Sequence, residues 1–442
     1  MIGRHLDRIH QTSYLLSMTS AAPAPTSPAV PTVADPAARR RAAWLAGVGI
    51  VLIAFNLRLG ISSAAALLEA LRDTLGFGSV TASLLPTLPT LCFAAAGLTA
   101  SPLARRFGTE RAVLVALVAL AAGLGLRMVP ATWALLTGTV VGMSGLAVGN
   151  VLLPALLRGH FPHRVSVLTG VYTTVMALGA TLAAAVAVPV ADGFDSPSLG
   201  LAVWAIPAVA ALLVWSLVRA PHAAAGGTGA AGHVSPWAMA RTRLGRLVTA
   251  YFALQALNCY ALVGWLPTLL SDRGMSHGGA GAMLAITQGA GIPATFALLA
   301  FVRATGRLRP AFVLVSVSML IGFTGLLVAP VAAPVLWAVA VGVGFCSFPL
   351  VLSVIGGSGA GAAETTALST LAQSLGYGVA ATGPFALGLM HGATGGWTVP
   401  MAALVVTAVG QLLVGLVLSG GRGAAGAAEP DAAPEPARRP GA

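Results

Sequence analysis

Residues 44–71 read WLAGVGIVLIAFNLRLGISSAAALLEAL, and this run decides the fold class. It is apolar and long enough to cross a bilayer as a helix. Near its middle stands Arg58, with Asn56 two residues before it and Ser62 one turn after it. A guanidinium keeps its charge at membrane depth, and burying it there costs on the order of 3 kcal/mol or more unless it is paired or hydrated. Arg58 therefore reads as a group that binds an anion or polar oxygens inside a membrane. A tie to helix carbonyls or to Glu69 is the structural alternative.

The rest of the chain agrees with that run. Of 442 residues, 57% are hydrophobic and only 8% are charged, which leaves too little polar surface for a soluble domain. The formal charge of +12 does not point to nucleic acid, because the charges fall in short connectors between apolar runs. All 24 Lys+Arg residues are arginine. Cys92, Cys259 and Cys346 each lie inside an apolar run with no metal-ligand spacing, and read as reduced core residues.

Twelve apolar runs follow one another at 44–71, 80–104, 111–129, 133–157, 165–190, 199–218, 247–270, 280–302, 310–329, 334–356, 365–390 and 397–419. This predicts an all-α polytopic membrane protein with 12 transmembrane helices. Residues 1–43 are Pro/Ala-rich and read as a disordered cytoplasmic tail, as do residues 421–442. Residues 44–218 and 247–420 form two six-helix bundles joined by a cytoplasmic loop, 219–246. With both termini inside, nearly every arginine falls on the inner face, and only Arg72, Arg127 and Arg273 fall outside, as the positive-inside rule requires. The two bundles also match each other at an offset near 200. The turn Arg105–Arg111 and the turn Arg303–Arg309 are both R-x-x-G-x-x-R, centred on Gly108 and Gly306. Such pseudo-repeats place a site near the bilayer midplane between them.

Twelve runs in a 6+6 arrangement with these basic turns resemble the major facilitator superfamily. Asn56-Leu57-Arg58, LPTLPTLCF (85–93), LARRFGTERA (103–112), GNVLLPALLRGHFP (149–162), TGVYTTVMALGA (169–180), AQSLGYGVAATGPF (372–385) and GATGGWTVP (392–400) resemble the cyanate permease and 2-nitroimidazole exporter family within it. The resemblance implies the major facilitator fold in the inner (cytoplasmic) membrane and secondary transport of a small polar or anionic solute. It also implies gating roles for the turn residues Arg105, Arg106, Gly108, Arg111, Arg303, Gly306 and Arg309. The superfamily's turn carries an Asp where Arg105 stands here.

The residues themselves supply the candidate site. Arg58 offers five donors in a planar fork, suited to carboxylate, cyanate or nitro groups. Asn56, Asn150, Gln255, Asn258 and Gln288 are mid-run amides, costly against lipid and so expected to face protein or a cavity. Thr169, Tyr172, Thr173 and Met176 recur at i, i+3, i+4 and i+7 on one helix face, as do Thr370, Gln373, Ser374 and Tyr377. Each polar residue taken alone serves equally well as interhelical glue. The histidines do not cluster, and His160, His163 and His391 read as solvated residues at helix ends. No carboxylate lies mid-run, so no proton relay is visible and the coupling ion stays open. A broad drug exporter is the first rival, weakened by an aromatic content of 6%; an intramembrane enzyme is a remote one, because no catalytic constellation appears. The expected partners are a small-molecule substrate, the lipid bilayer and a coupling ion, with no cofactor, no metal, no nucleic acid and a monomeric state.

Overall fold

A computed structural model describes residues 36–218, 235–357 and 362–420. The expected tails, most of the connecting loop and the Gly-rich segment around 358–361 lie outside the described residues. From Ala42 onward the chain forms one compact unit; of the stretch before it only residues 36–41 are described, as the opening turns of the first helix.

Every described apolar run is helical. Helix α1 (Pro36–Ala66) is followed, after a break at Leu67, by α2 (Leu68–Leu75). Next come α3 (Ser79–Phe107), α4 (Thr109–Leu126), α5 (Thr132–His160) and α6 (Val165–Gly193). The sixth run divides into α7 (Pro197–Ala202) and α8 (Ala205–Ser216). A short α9 (Pro236–Arg241) precedes α10 (Arg243–Ser271), α11 (His277–Thr305) and α12 (Leu308–Val328). The tenth run divides into α13 (Pro334–Gly344) and α14 (Ser347–Gly357), and the eleventh into α15 (Ala362–Ala380) and α16 (Thr382–Thr394); α17 (Thr398–Gly420) closes the bundle. The starts are fixed by local chemistry. Ser196, Thr242 and Ser276 each accept a backbone N–H three residues on, which satisfies one orphan donor of the following helix. Internal prolines such as Pro86, Pro89 and Pro154 are carried without ending α3 or α5, as membrane helices allow.

Among the described residues, 11 of these segments are long and apolar enough to cross a membrane. The exception is the eleventh run. Its first half, α15, carries Thr365, Thr366, Ser369, Thr370, Gln373 and Ser374, and that polarity keeps it below the hydropathy of its neighbours.

We call the end where α1 begins and α17 finishes the proximal end, and the other the distal end. The two R-x-x-G-x-x-R turns lie at the proximal end, and each pivots on a glycine at positive φ, although their ψ angles differ. Gly108 takes φ +82° and Gly306 φ +65°, a region that a side chain disfavours, and each returns its N–H to the fourth carbonyl before it. Small residues let helices approach closely: a Cβ on Gly145 of α5 would collide with the Ala116 carbonyl of α4, and one on Gly344 of α13 with Met319 of α12.

Candidate functional site

Contacts between the first six runs and the last six extend from the distal end down to Arg58. At the rim, the Glu69 carboxylate of α2 pairs with His277 at 3.4 Å. Below it, Gly281 of α11 lies against Ala184 of α6, Gly264 of α10 against Pro86 of α3, and Gly388 of α16 against Ser83 of α3. A Cβ at Gly388 would overlap the Ser83 side chain, so the helices meet with no side chain on the α16 side. Deeper still, Gln288 of α11 accepts from the Ser62 hydroxyl at 3.1 Å and donates to the Ala180 carbonyl at 3.4 Å, joining α11 to α1 and α6.

Arg58 closes this seam from below. Its guanidinium carbon sits 5.3 Å from the centre of the Tyr260 ring, and the Cys259 sulfur lies against the same group. Phe93 stacks on Tyr377 at 5.1 Å, Tyr260 lies 6.0 Å from Tyr377, and Phe252 meets Tyr377 edge-on at 5.2 Å. Rings from α3, α10 and α15 thus converge beside one cation, a contact worth about 0.5–2 kcal/mol to the charge. Among the described residues no carboxylate pairs with Arg58. Glu69, the partner weighed from the sequence, faces His277 instead.

Of the expected site residues, the structure brings Arg58 and Tyr377 together. On the proximal side of that pair Asn150, Tyr172, Thr173 and Gln373 are half-buried, with partial exposure although they lie within helices. Thr173 bonds the carbonyls of Thr169 and Gly170 in its own helix, and Gln373 donates to Ser369. Two amides belong elsewhere. Asn56 points away from Arg58 and donates to the carbonyls of Leu52 and Pro207, tying α1 to α8. Asn258 donates to Gln411 at 2.9 Å and accepts from Thr407 at 2.6 Å, which locks α10 to α17. Gln255 is buried on the same helix. The basic turn residues Arg105, Arg106, Arg111, Arg303 and Arg309 are exposed at the proximal end.

Sequence reasoning missed the ring cluster, because a low aromatic total says nothing about where the rings collect. It also placed Arg127 at an outer edge, whereas the structure buries it. The available signal was its sign, a positive charge on the side the arginine asymmetry leaves nearly free. His391, expected to be solvated, stacks on Trp397 at 4.2 Å and meets Asp272 at 3.5 Å.

The helical bundle and its seam around a membrane-embedded arginine are those of a transporter, and the chain belongs to the Major Facilitator Superfamily, whose model matches residues 50–384. It is a membrane-embedded secondary transporter of a small molecule. The chain is 34% identical over 371 residues to the 2-nitroimidazole transporter of Escherichia coli, an alignment covering 83% of this chain and 93% of that one. It is 27% identical to the cyanate transport protein CynX of the same organism, over 83% of this chain and 95% of the relative. Among solved structures, a bacterial homolog of the human lysosomal transporter Spinster superposes with a TM-score of 0.71 at 13% identity, covering 88% of this chain and 99% of that one, so the likeness there is one of fold.

Proposed function

We propose that the protein moves a small planar solute bearing nitro or carboxylate-type oxygens across the cytoplasmic membrane by alternating access. The carrying observation is Arg58, an intramembrane cation without a carboxylate partner among the described residues and set beside converging rings. Its fork grips paired oxygens, and Tyr260, Tyr377 and Phe93 offer flat apolar surface to the body of the solute. The rings favour a nitro-substituted ring over a bare triatomic anion. Residues 44–218 and 247–420 act as the two rocking units, with Gln288 and Gln373 near their junction. Both termini and the exposed basic turns face the cytoplasm, and the half-buried proximal polar residues form the entry from that side.

Calorimetric binding of 2-nitroimidazole and of cyanate, run beside melting curves, tests the site. Arg58→Lys keeps the charge but loses the planar pair of donors, a loss of about 1.5–3 kcal/mol or roughly ten- to hundredfold in affinity. Arg58→Ala abolishes binding at ordinary solute levels. Near-normal affinity in a destabilised Arg58→Ala protein would move the site off α1. Impermeant labelling of Thr109→Cys and Ser196→Cys tests the orientation: only Ser196→Cys reacts on intact cells.

A further inference from the structure

Arg127 lies one residue past the end of α4, and its side chain is only 1% exposed. An arginine at a helix end in a membrane ordinarily extends to the headgroups. This one turns inward, packing its stem over Gly138 of α5, where a Cβ would press on it. One donor, Nη1, reaches the Gly60 carbonyl at 3.0 Å. The other two nitrogens, Nε and Nη2, are fully buried with no hydrogen-bond partner, and no carboxylate pairs with the group among the described residues. Tying one carbonyl needs one donor, so a purely structural role leaves most of the guanidinium unexplained.

Arg127 borders a cavity of about 20 Å³ in the distal seam, shared with Ala64, Pro89, Thr139 and Tyr260. Tyr260 is the residue whose ring faces Arg58, and its ring also packs 6.0 Å from that of Tyr377. Gly60, the anchor of Arg127, is two residues beyond Arg58, a rise of about 3 Å along α1. Tyr260 thus faces Arg58 and also lines the cavity that Arg127 borders. The cavity has room for about one water-sized group, so a larger solute reaches Arg127 only when the seam parts.

We propose that Arg127 is a second anion site: a distal subsite that receives the oxygen-bearing end of the solute as the seam opens, with Tyr260 as the partition between it and Arg58. This rests on the reading of Arg58 as the central site. It makes the distal exit a transfer from one fork to the next, so the anionic end stays beside a positive charge while Tyr260 turns aside.

The test uses nitrate, a small planar oxyanion, replacing gluconate at fixed ionic strength, with the melting temperature of the purified full-length protein as the readout. The background is Arg58→Gln, so the result stands apart from any binding at Arg58. Nitrate is expected to stabilise Arg58→Gln saturably, and adding Arg127→Gln is expected to weaken that response about tenfold or more. Adding Arg127→Lys, which keeps the charge but not the fork, should weaken it by a smaller factor; this variant decides the matter if the glutamine protein does not fold. Holding the seam apart with Gly388→Leu should raise the apparent affinity for nitrate. Three results overturn the proposal: no nitrate response in Arg58→Gln, a response that survives loss of Arg127, or an affinity that falls when the seam is forced open. Loss of 2-nitroimidazole binding in Arg58→Lys with an unchanged nitrate response would separate the two sites and support it.

Discussion

The distal and proximal halves of the junction between the two sets of helices are built from different materials. Distally, Gly264, Gly281 and Gly388 present bare backbone to Pro86, Ala184 and Ser83, and at these points the helices approach with no side chain on the glycine side. Proximally, Asn150, Thr173 and Gln373 are half-buried, and the hydroxyls there bond their own helices rather than the opposite wall. In a bilayer no hydrophobic force drives helices together, so close van der Waals packing of small residues must hold the distal side shut. Among the described residues the proximal side has no comparable zipper. This conformation is therefore closed on its distal side by shape.

The largest way to break that division is to thicken the seam. Gly388→Leu should cost the distally closed state about 1–3 kcal/mol by overpacking against Ser83 and Trp265, a population shift of roughly five- to 150-fold. Labelling of Ala65→Cys by an impermeant distal reagent reads this, and unchanged labelling would mean that the glycine contacts do not close the path. A second substitution tests whether the α10–α17 amides belong to the scaffold. Asn258→Ala leaves the Gln411 side-chain oxygen without its donor and Thr407 with only its own-helix carbonyl, and should lower stability by about 1–3 kcal/mol with solute affinity held within about twofold. A collapse of affinity in a stable protein would return Asn258 to the binding site. The smallest effect concerns the rim. The Glu69–His277 pair has a half-exposed histidine, so His277→Ala should release the seam by at most about 1 kcal/mol, or about fivefold in labelling. The increment should vanish in high salt; a larger, salt-independent effect would give the pair a structural role beyond its charge.

Helix number, order and the two glycine turns were legible because hydropathy and arginine placement are local properties. The breaks at Leu67 and Ala381 were not, since apolar sequence continues through both and only the surrounding packing decides where a helix bends. Arg58 announced itself as a charge inside an apolar run. Arg127 did not, because it stands at the edge of its run, where a solvated arginine is ordinary; its burial depends on α1 and α5 folding over it. The mid-run amides show the limit of composition. Sequence placed Asn56 and Asn258 at a suitable depth, but depth is not direction, and both turned toward neighbouring helices. For Asn258 a hint was present: Thr407 and Gln411, four residues apart on the otherwise apolar α17, are a ready pair of partners.

The bare-backbone seam also bears on how such a protein can diversify. Positions such as Gly264 and Gly388 admit almost no mutational drift, because any side chain there meets an opposing helix. Thr365, Ser369 and Gln373 on α15 are half-buried and carry no such constraint. Descendants of this sequence can therefore vary α15 while inheriting an unaltered seam, and a library randomised at those three positions should yield folded, sealed proteins far more often than one randomised along the seam.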